Sequence, residues 1–212
     1  LAPTDLQLFD TENLPIPSCT QPDWDLAISI LNVPGVRRLG EFCRAFQGEV
    51  NETSDGQRGF LSQKASDGPS ILGGANITLY AVRPASEGED IFLRKKAFLE
   101  GKPASEKAQH HLERRVGWQE SSPQNNFRRI IAAVIPAGEF CNHKINYIPE
   151  SSSRLQLDEL VAFLNSALHD WFFRLTSTNA AVSHYQVMQL PIPAQVSPEI
   201  AVICDRLQMQ EA

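Results

Sequence analysis

The sequence predicts an α+β fold: a twisted sheet, mixed or mostly antiparallel, with a long C-terminal helix packed on it. Two observations lead there. Segments 76–82, 127–135 and 144–148 are rich in β-branched and aromatic residues, and polar or Gly- and Pro-containing stretches separate them. After them, Leu157, Leu160, Val161, Leu164, Leu168, Trp171, Phe172 and Leu175 recur at helical spacing and predict one buried stripe.

Taken in order, residues 1–25 are polar and punctuated by Pro3, Pro15, Pro17 and Pro22, and read as an extended lead-in. Residues 24–31 suit a short helix ended by Pro34, and 39–50 a strand. Residues 51–59 are a polar stretch, 60–69 a loop, 76–82 a strand and 84–88 a turn. Residues 90–101 fit neither period. A helix is expected over 105–113, a strand over 112–120, and the strongest strand over 127–135. The helix over 157–175, favoured at its start by Asp158 and Glu159, should stop near Thr176. Residues 184–190 then read as a strand closed by Pro191 and Pro193. A last helix over 196–210 is entered through Ser197-Pro198, a cap followed by a first-turn proline.

Composition bounds the function. The chain has 212 residues, 42% hydrophobic and 21% charged, enough to build a sizeable core. No apolar run reaches the roughly 18–20 residues of a membrane span. Residues 1–12 hold two Asp, one Glu and no basic residue, so a cytoplasmic protein without a signal peptide is expected. Cys19, Cys43, Cys141 and Cys204 are widely spaced and read as reduced thiols. The first residue is Leu, which points to a piece of a longer protein.

The net charge of −6 hides a pattern. Residues 1–90 carry −7, residues 91–147 carry +5 and residues 148–212 carry −4. A cationic centre between acidic flanks can face phosphate, because the local field matters more than the total. Within the centre, Arg94-Lys95-Lys96, Arg114-Arg115, Arg128-Arg129 and His143-Lys144 are candidate phosphate contacts. Gln124, Asn125, Asn126, Asn142 and Asn146 are candidate base readers beside them, since amide side chains match adenine edges. Neighbours on a strand point to opposite faces, so at most one of Arg128 and Arg129 should reach DNA.

The sequence has no GxGxxG, GK[ST], HExxH or GxSxG motif and no Pro-Pro pair. Cys141 and His143, two apart, allow a thiol hydrolase as an alternative; His110, His111 and His143 are a weak metal set.

Several motifs in order resemble the C-terminal specificity region of TaqI-like adenine-N6 DNA methyltransferases, including restriction enzymes that fuse modification and cleavage. They are the turn Gly48-Glu49-Val50-Asn51-Glu52-Thr53 followed by Phe60, and Leu72-Gly73-Gly74-Ala75-Asn76-Ile77 with Tyr80, Asn76 standing where Asp is usual. The later members are 128–136, 142–148, the Leu-Asn-Ser of 164–166, the Ser-Thr-Asn of 177–179 and the Leu-Pro-Ile-Pro of 190–193. The resemblance covers residues 39–193. It implies a non-catalytic target recognition domain for double-stranded DNA over 39–193, a lead-in or linker over 1–38 and a C-terminal helix over 194–212. It further implies a methyltransferase domain earlier in the same parent chain, which would bind S-adenosylmethionine and flip the target adenine. The DNA-binding set expected is Arg94, Lys95, Lys96, Arg114, Arg115, Arg128, Arg129, Asn142, His143 and Lys144. A protein-interaction or scaffold domain of the same enzyme is the other reading.

Overall fold

A computed structural model describes residues 3–9, 16–84, 90–102, 106–193 and 195–211. The elements run α1 (Pro3–Phe9), α2 (Gln21–Leu31), β1 (Val36–Arg38), β2 (Phe46–Gln47), α3 (Glu52–Gln57), β3 (Leu61–Ser62), β4 (Ile71–Leu72), β5 (Phe92–Leu93), α4 (Lys95–Gly101) and α5 (Glu106–Gln109). Then come β6 (Arg115–Gln119), β7 (Ala132–Ile135), β8 (Phe140–Cys141), β9 (Ile145–Pro149), α6 (Leu157–Asn165), α7 (Ala167–Arg174), α8 (His184–Met188), β10 (Pro191–Pro193) and α9 (Pro198–Glu211). The fold is α+β, as the sequence predicts.

The central sheet is antiparallel, in the order β2-β9-β6-β7. Strand β6 shows how it divides the molecule. Val116 and Trp118 point to one face and join the main core with Leu160, Val161, Leu164 and Phe172. Gly117 and Arg115 point to the other, where a side chain on Gly117 would overlap Ile135. Three two-stranded pairs surround this sheet: β1 with β10 and β3 with β5 antiparallel, β4 with β8 parallel.

The helical stripe is where periodicity places it, but the helix is broken. Ser166 adopts an extended backbone (φ −69°, ψ 146°) and its hydroxyl caps α7 by accepting from His169 N. The break frees Asn165, which accepts from Ala132 N (2.9 Å) and donates to Ala132 O (2.8 Å), occupying both backbone groups of a β7 residue. Leu157, Leu160, Val161, Leu164, Phe172 and Leu175 are buried, while Leu168 is exposed. Burying side chains of this size stabilises by about 1.5–3 kcal/mol each.

Of the strand expected over 39–50 only Phe46–Gln47 is strand, Leu39–Glu41 being a 3-10 turn. Four further expectations fail, each for a local reason. Of the extended stretch expected over 1–25, Pro3–Phe9 and the part from Gln21 are helix: Thr20 caps α2, and Phe9 stacks on Trp24 (4.6 Å) and Phe172 (4.8 Å). Residues 76–82 form a tight turn, not a strand, because Thr78 bonds back to the Ala81 carbonyl and Tyr80 takes a positive φ of 65°. The run 127–135 is strand only from Ala132, since the N–H groups of Arg129 and Ile130 are taken by the Asp170 carboxylate. Residues 184–188 are helix because Ser183 caps them; the strand that follows is the Pro-Ile-Pro segment itself. The turn expected at 84–88 falls mostly outside the described residues. Among the described residues no helix is long and apolar enough to cross a membrane.

Candidate nucleic-acid interface

The loop after β2 is built on close backbone approach. A Cβ on Gly48 would overlap the carbonyl of Asn142, so only glycine lets residues 48–50 lie against 141–142. Beneath it Arg115 donates to both oxygens of Glu49 (3.0 and 3.1 Å) and to the Glu139 carbonyl (2.6 Å). Lys107 donates to Gly48 O (3.1 Å), and Lys102 to Glu49 O (3.3 Å) and the Asp55 carboxylate (2.9 Å). Asn51 caps α3 through Thr53 N and Ser54 N. These bonds fix α3, whose first residue is Glu52.

Glu52 is where two clefts meet. Its carboxylate accepts from Asn142 Nδ2 (2.5 Å) and pairs with Lys144 Nζ (3.2 Å). One cleft, of about 710 Å³, is lined by Ser62, Gln63, Lys64, Asp67 and Arg94. The other, of about 290 Å³, is lined by Gly73, Gly74, Asn76, Asn142 and Lys144. Glu52 and Ile91 line both, so they form one groove. Arg94 pairs with Asp67 (3.1 Å) on its wall. Lys95 and Lys96 follow at the start of α4 and are exposed. The pairs Lys144–Glu52 and Arg94–Asp67 are half exposed, and such pairs are worth only about 0–1 kcal/mol. They position cations that a phosphate can recruit cheaply.

Of the predicted set, the groove is lined by Arg94, Asn142 and Lys144; Lys95, whose ammonium lies over the Phe140 ring (5.5 Å), Lys96, paired with Glu100, and His143 do not line it. The structure leaves Arg114 elsewhere, exposed and paired with Glu150 (2.6 Å). Arg128 is half-buried, its guanidinium over the ring of the exposed Phe127 (5.1 Å). Three of the ten are withdrawn from solvent: Arg115, Arg129 and Asn142, the last 4% exposed. Arg115 is held in the buried pair with Glu49. Arg129 is 1% exposed and donates to the carbonyls of Asn179 (2.7 Å) and Ala181 (3.2 Å). Both serve the fold, and neither lines the groove. Asn146, offered as a reader, is likewise buried and bonds Val182 O. Asn142 spends its amide on Glu52 and its carbonyl on Lys144 N. Lys64 and Gln63 were missed; only their polar character marks them in the sequence.

The hydrolase alternative fails on burial. Cys141 is fully buried, and burial pushes its thiol pKa up despite the opposing pull of Arg115. A thiol held protonated is a poor nucleophile. His110 and His111 are buried and engaged with Tyr147 OH (3.1 Å) and Ala108 O (2.9 Å) through Nδ1.

No family model matches the sequence. No curated protein matches it either. Among solved structures, the chain is similar to the HsdS subunit from Thermoanaerobacter tengcongensis at 15% identity and a TM-score of 0.48, covering 98% of this chain and 43% of that one. It is also similar to a chain from a structure of the assembly and conformational transition of the type I R-M system, at 16% identity and a TM-score of 0.50, covering 98% and 44%. The chain thus spans less than half the length of either. At this level of identity the second likeness is one of fold.

Proposed function

We propose that the chain is a target recognition domain of a restriction-modification system, reading double-stranded DNA for a partner methyltransferase. The observation that carries this is the groove that brings Lys64, Arg94 and Lys144 together. The likeness in fold to a chain of the type I R-M system supports it. The TaqI-like motifs supply the finer reading, that the methyl group goes to adenine N6. Residues 39–193 carry recognition, with 1–38 leading in from the rest of the enzyme and 194–212 following as a helix. The methyl donor, S-adenosylmethionine, would be held by the methyltransferase, whether in the same chain or another; the sequence here has no Pro-Pro pair and so lacks the adenine-holding motif of those enzymes. The work would be done in the cytoplasm.

In this reading phosphates lie along the cationic wall and base edges meet the polar residues of the groove. The decisive test is an exchange. Replacing this segment in its full-length enzyme by the corresponding segment of a related one should move N6-methyladenine to a different sequence motif. An unchanged motif, with methylation intact, overturns the reading. At the level of residues, Lys64→Ala and Lys144→Ala should each lower the slope of log affinity against log salt by about 1 for duplex DNA.

A further inference from the structure

A second cavity, of about 300 Å³, shares no residue with the groove. Its rim is polar and exposed: Ser18, Gln124 and Thr178. Its remaining lining is Arg129, Arg174 and Ser177. None of the described residues that line it is acidic.

The bonding around it is incomplete. Arg129 spends Nη2 on the carbonyls of Asn179 and Ala181, but its buried Nε has no partner. Ser177, 8% exposed, has a buried hydroxyl with no partner either. A buried polar group without a bond is costly, and two lie in one wall. Charge is incomplete as well. Arg174 donates Nε to Asp170 (2.8 Å) and its other nitrogens to the carbonyls of Gln124 (2.8 Å) and Asn126 (2.9 Å). Asp170 is 3% exposed, and its other oxygen is spent on the N–H groups of Arg129 and Ile130. One carboxylate thus faces two guanidiniums. Burial, then the neighbouring Arg174 charge, push the Arg129 pKa down.

We infer that this cavity is an oxyanion site for a phosphate group, with Arg129 and Arg174 supplying charge and Ser177 a hydroxyl donor. A tetrahedral oxyanion supplies what the wall lacks: acceptors for the unpartnered donors and a negative charge between two positive ones. The group comes either from a phosphodiester of the duplex, which rests on the function proposed above, or from free inorganic phosphate, which does not.

The test uses the whole chain with two variants. Ser177→Ala removes only an unpartnered hydroxyl, and Thr178→Glu places a carboxylate on the exposed rim; circular dichroism confirms that both fold. Thermal unfolding is followed in sodium phosphate against sodium chloride at matched ionic strength, and duplex binding by fluorescence anisotropy. For a free-phosphate site, phosphate raises the melting temperature beyond chloride. Ser177→Ala then weakens that binding about tenfold, and Thr178→Glu abolishes it. For a phosphodiester site, phosphate adds nothing beyond chloride, but both variants weaken duplex binding about tenfold, also in a Lys64→Ala background. If neither response changes in either variant, the site does not exist. Binding of phosphate in a protein that ignores duplex DNA would uphold the site and remove the nucleic-acid reading. Duplex binding indifferent to both variants, with no melting response to phosphate, would do the reverse.

Discussion

Replacing Arg115 by Met tests whether the strut under the Gly48–Glu49 loop is structural. The guanidinium and the Glu49 carboxylate have side chains 0% and 1% exposed, joined by two bonds of 3.0 and 3.1 Å. Arg115 also lies over the Tyr147 ring at 4.6 Å. Removing it leaves a buried carboxylate without its main partner, which costs about 3–5 kcal/mol. A domain holds about 5–15 kcal/mol in all, so roughly a fifth or more of the stability is at stake. Removing both charges, in Arg115→Met with Glu49→Met, should recover most of the loss, because a whole buried pair replaced by apolar groups is near neutral. Urea denaturation followed by tryptophan fluorescence reads both, Trp118 lying in the core. The salt dependence of duplex binding, measured well below the melting temperature, should not change in Arg115→Met. A single-variant cost under about 1 kcal/mol, or a double-variant cost equal to the sum of the singles, refutes the argument.

Two further outcomes follow from burial. His169 bonds Ser166 Oγ (2.6 Å) and the Pro191 carbonyl (2.8 Å), and burial lowers its pKa below 6.5, against the opposing pull of that carbonyl. A histidine with a lowered folded pKa binds fewer protons folded than unfolded. Its contribution is therefore complete above the unfolded value of about 6.5 and is lost as pH falls below it toward the folded value. Urea midpoints should drop from pH 7 to pH 5, and the drop should be shallower in His169→Gln; an unchanged slope contradicts the assignment. His110 and His111, lowered chiefly by burial, add to the same trend. The thiols should separate in the same way. Burial pushes Cys43 up to about 12 and raises Cys141 and Cys204, while Cys19 is the one partly exposed cysteine. An aromatic disulfide reagent at pH 8 should titrate Cys19 in the native protein and all four thiols in urea; prompt native reaction of Cys141 would contradict the packing.

What the sequence shows and what it hides divide along the range of the interactions. The stripe from Leu157 to Leu175 is legible because burial imposes its own period. The break inside it is not, because it serves Ala132, more than thirty residues away, through Asn165. The apolar run 127–135 looks like one strand because propensity is local, yet its first half is taken out of the ladder by Asp170 on another element. The same division governs the site. Strand alternation predicts that one of Arg128 and Arg129 turns inward; Arg129 does, although neither lies in a strand. Which one is decided by the carbonyls of Asn179 and Ala181, about fifty residues on. The Arg114-Arg115 pair repeats the pattern, with Glu49 drawing Arg115 in and Glu150 holding Arg114 at the surface. A count of basic residues therefore overstates the cations available to a polyanion. The surface charge that remains near the groove comes from isolated lysines and Arg94, whose partners are weak, while several of the charges buried deepest are the ones that hold the groove's walls in place.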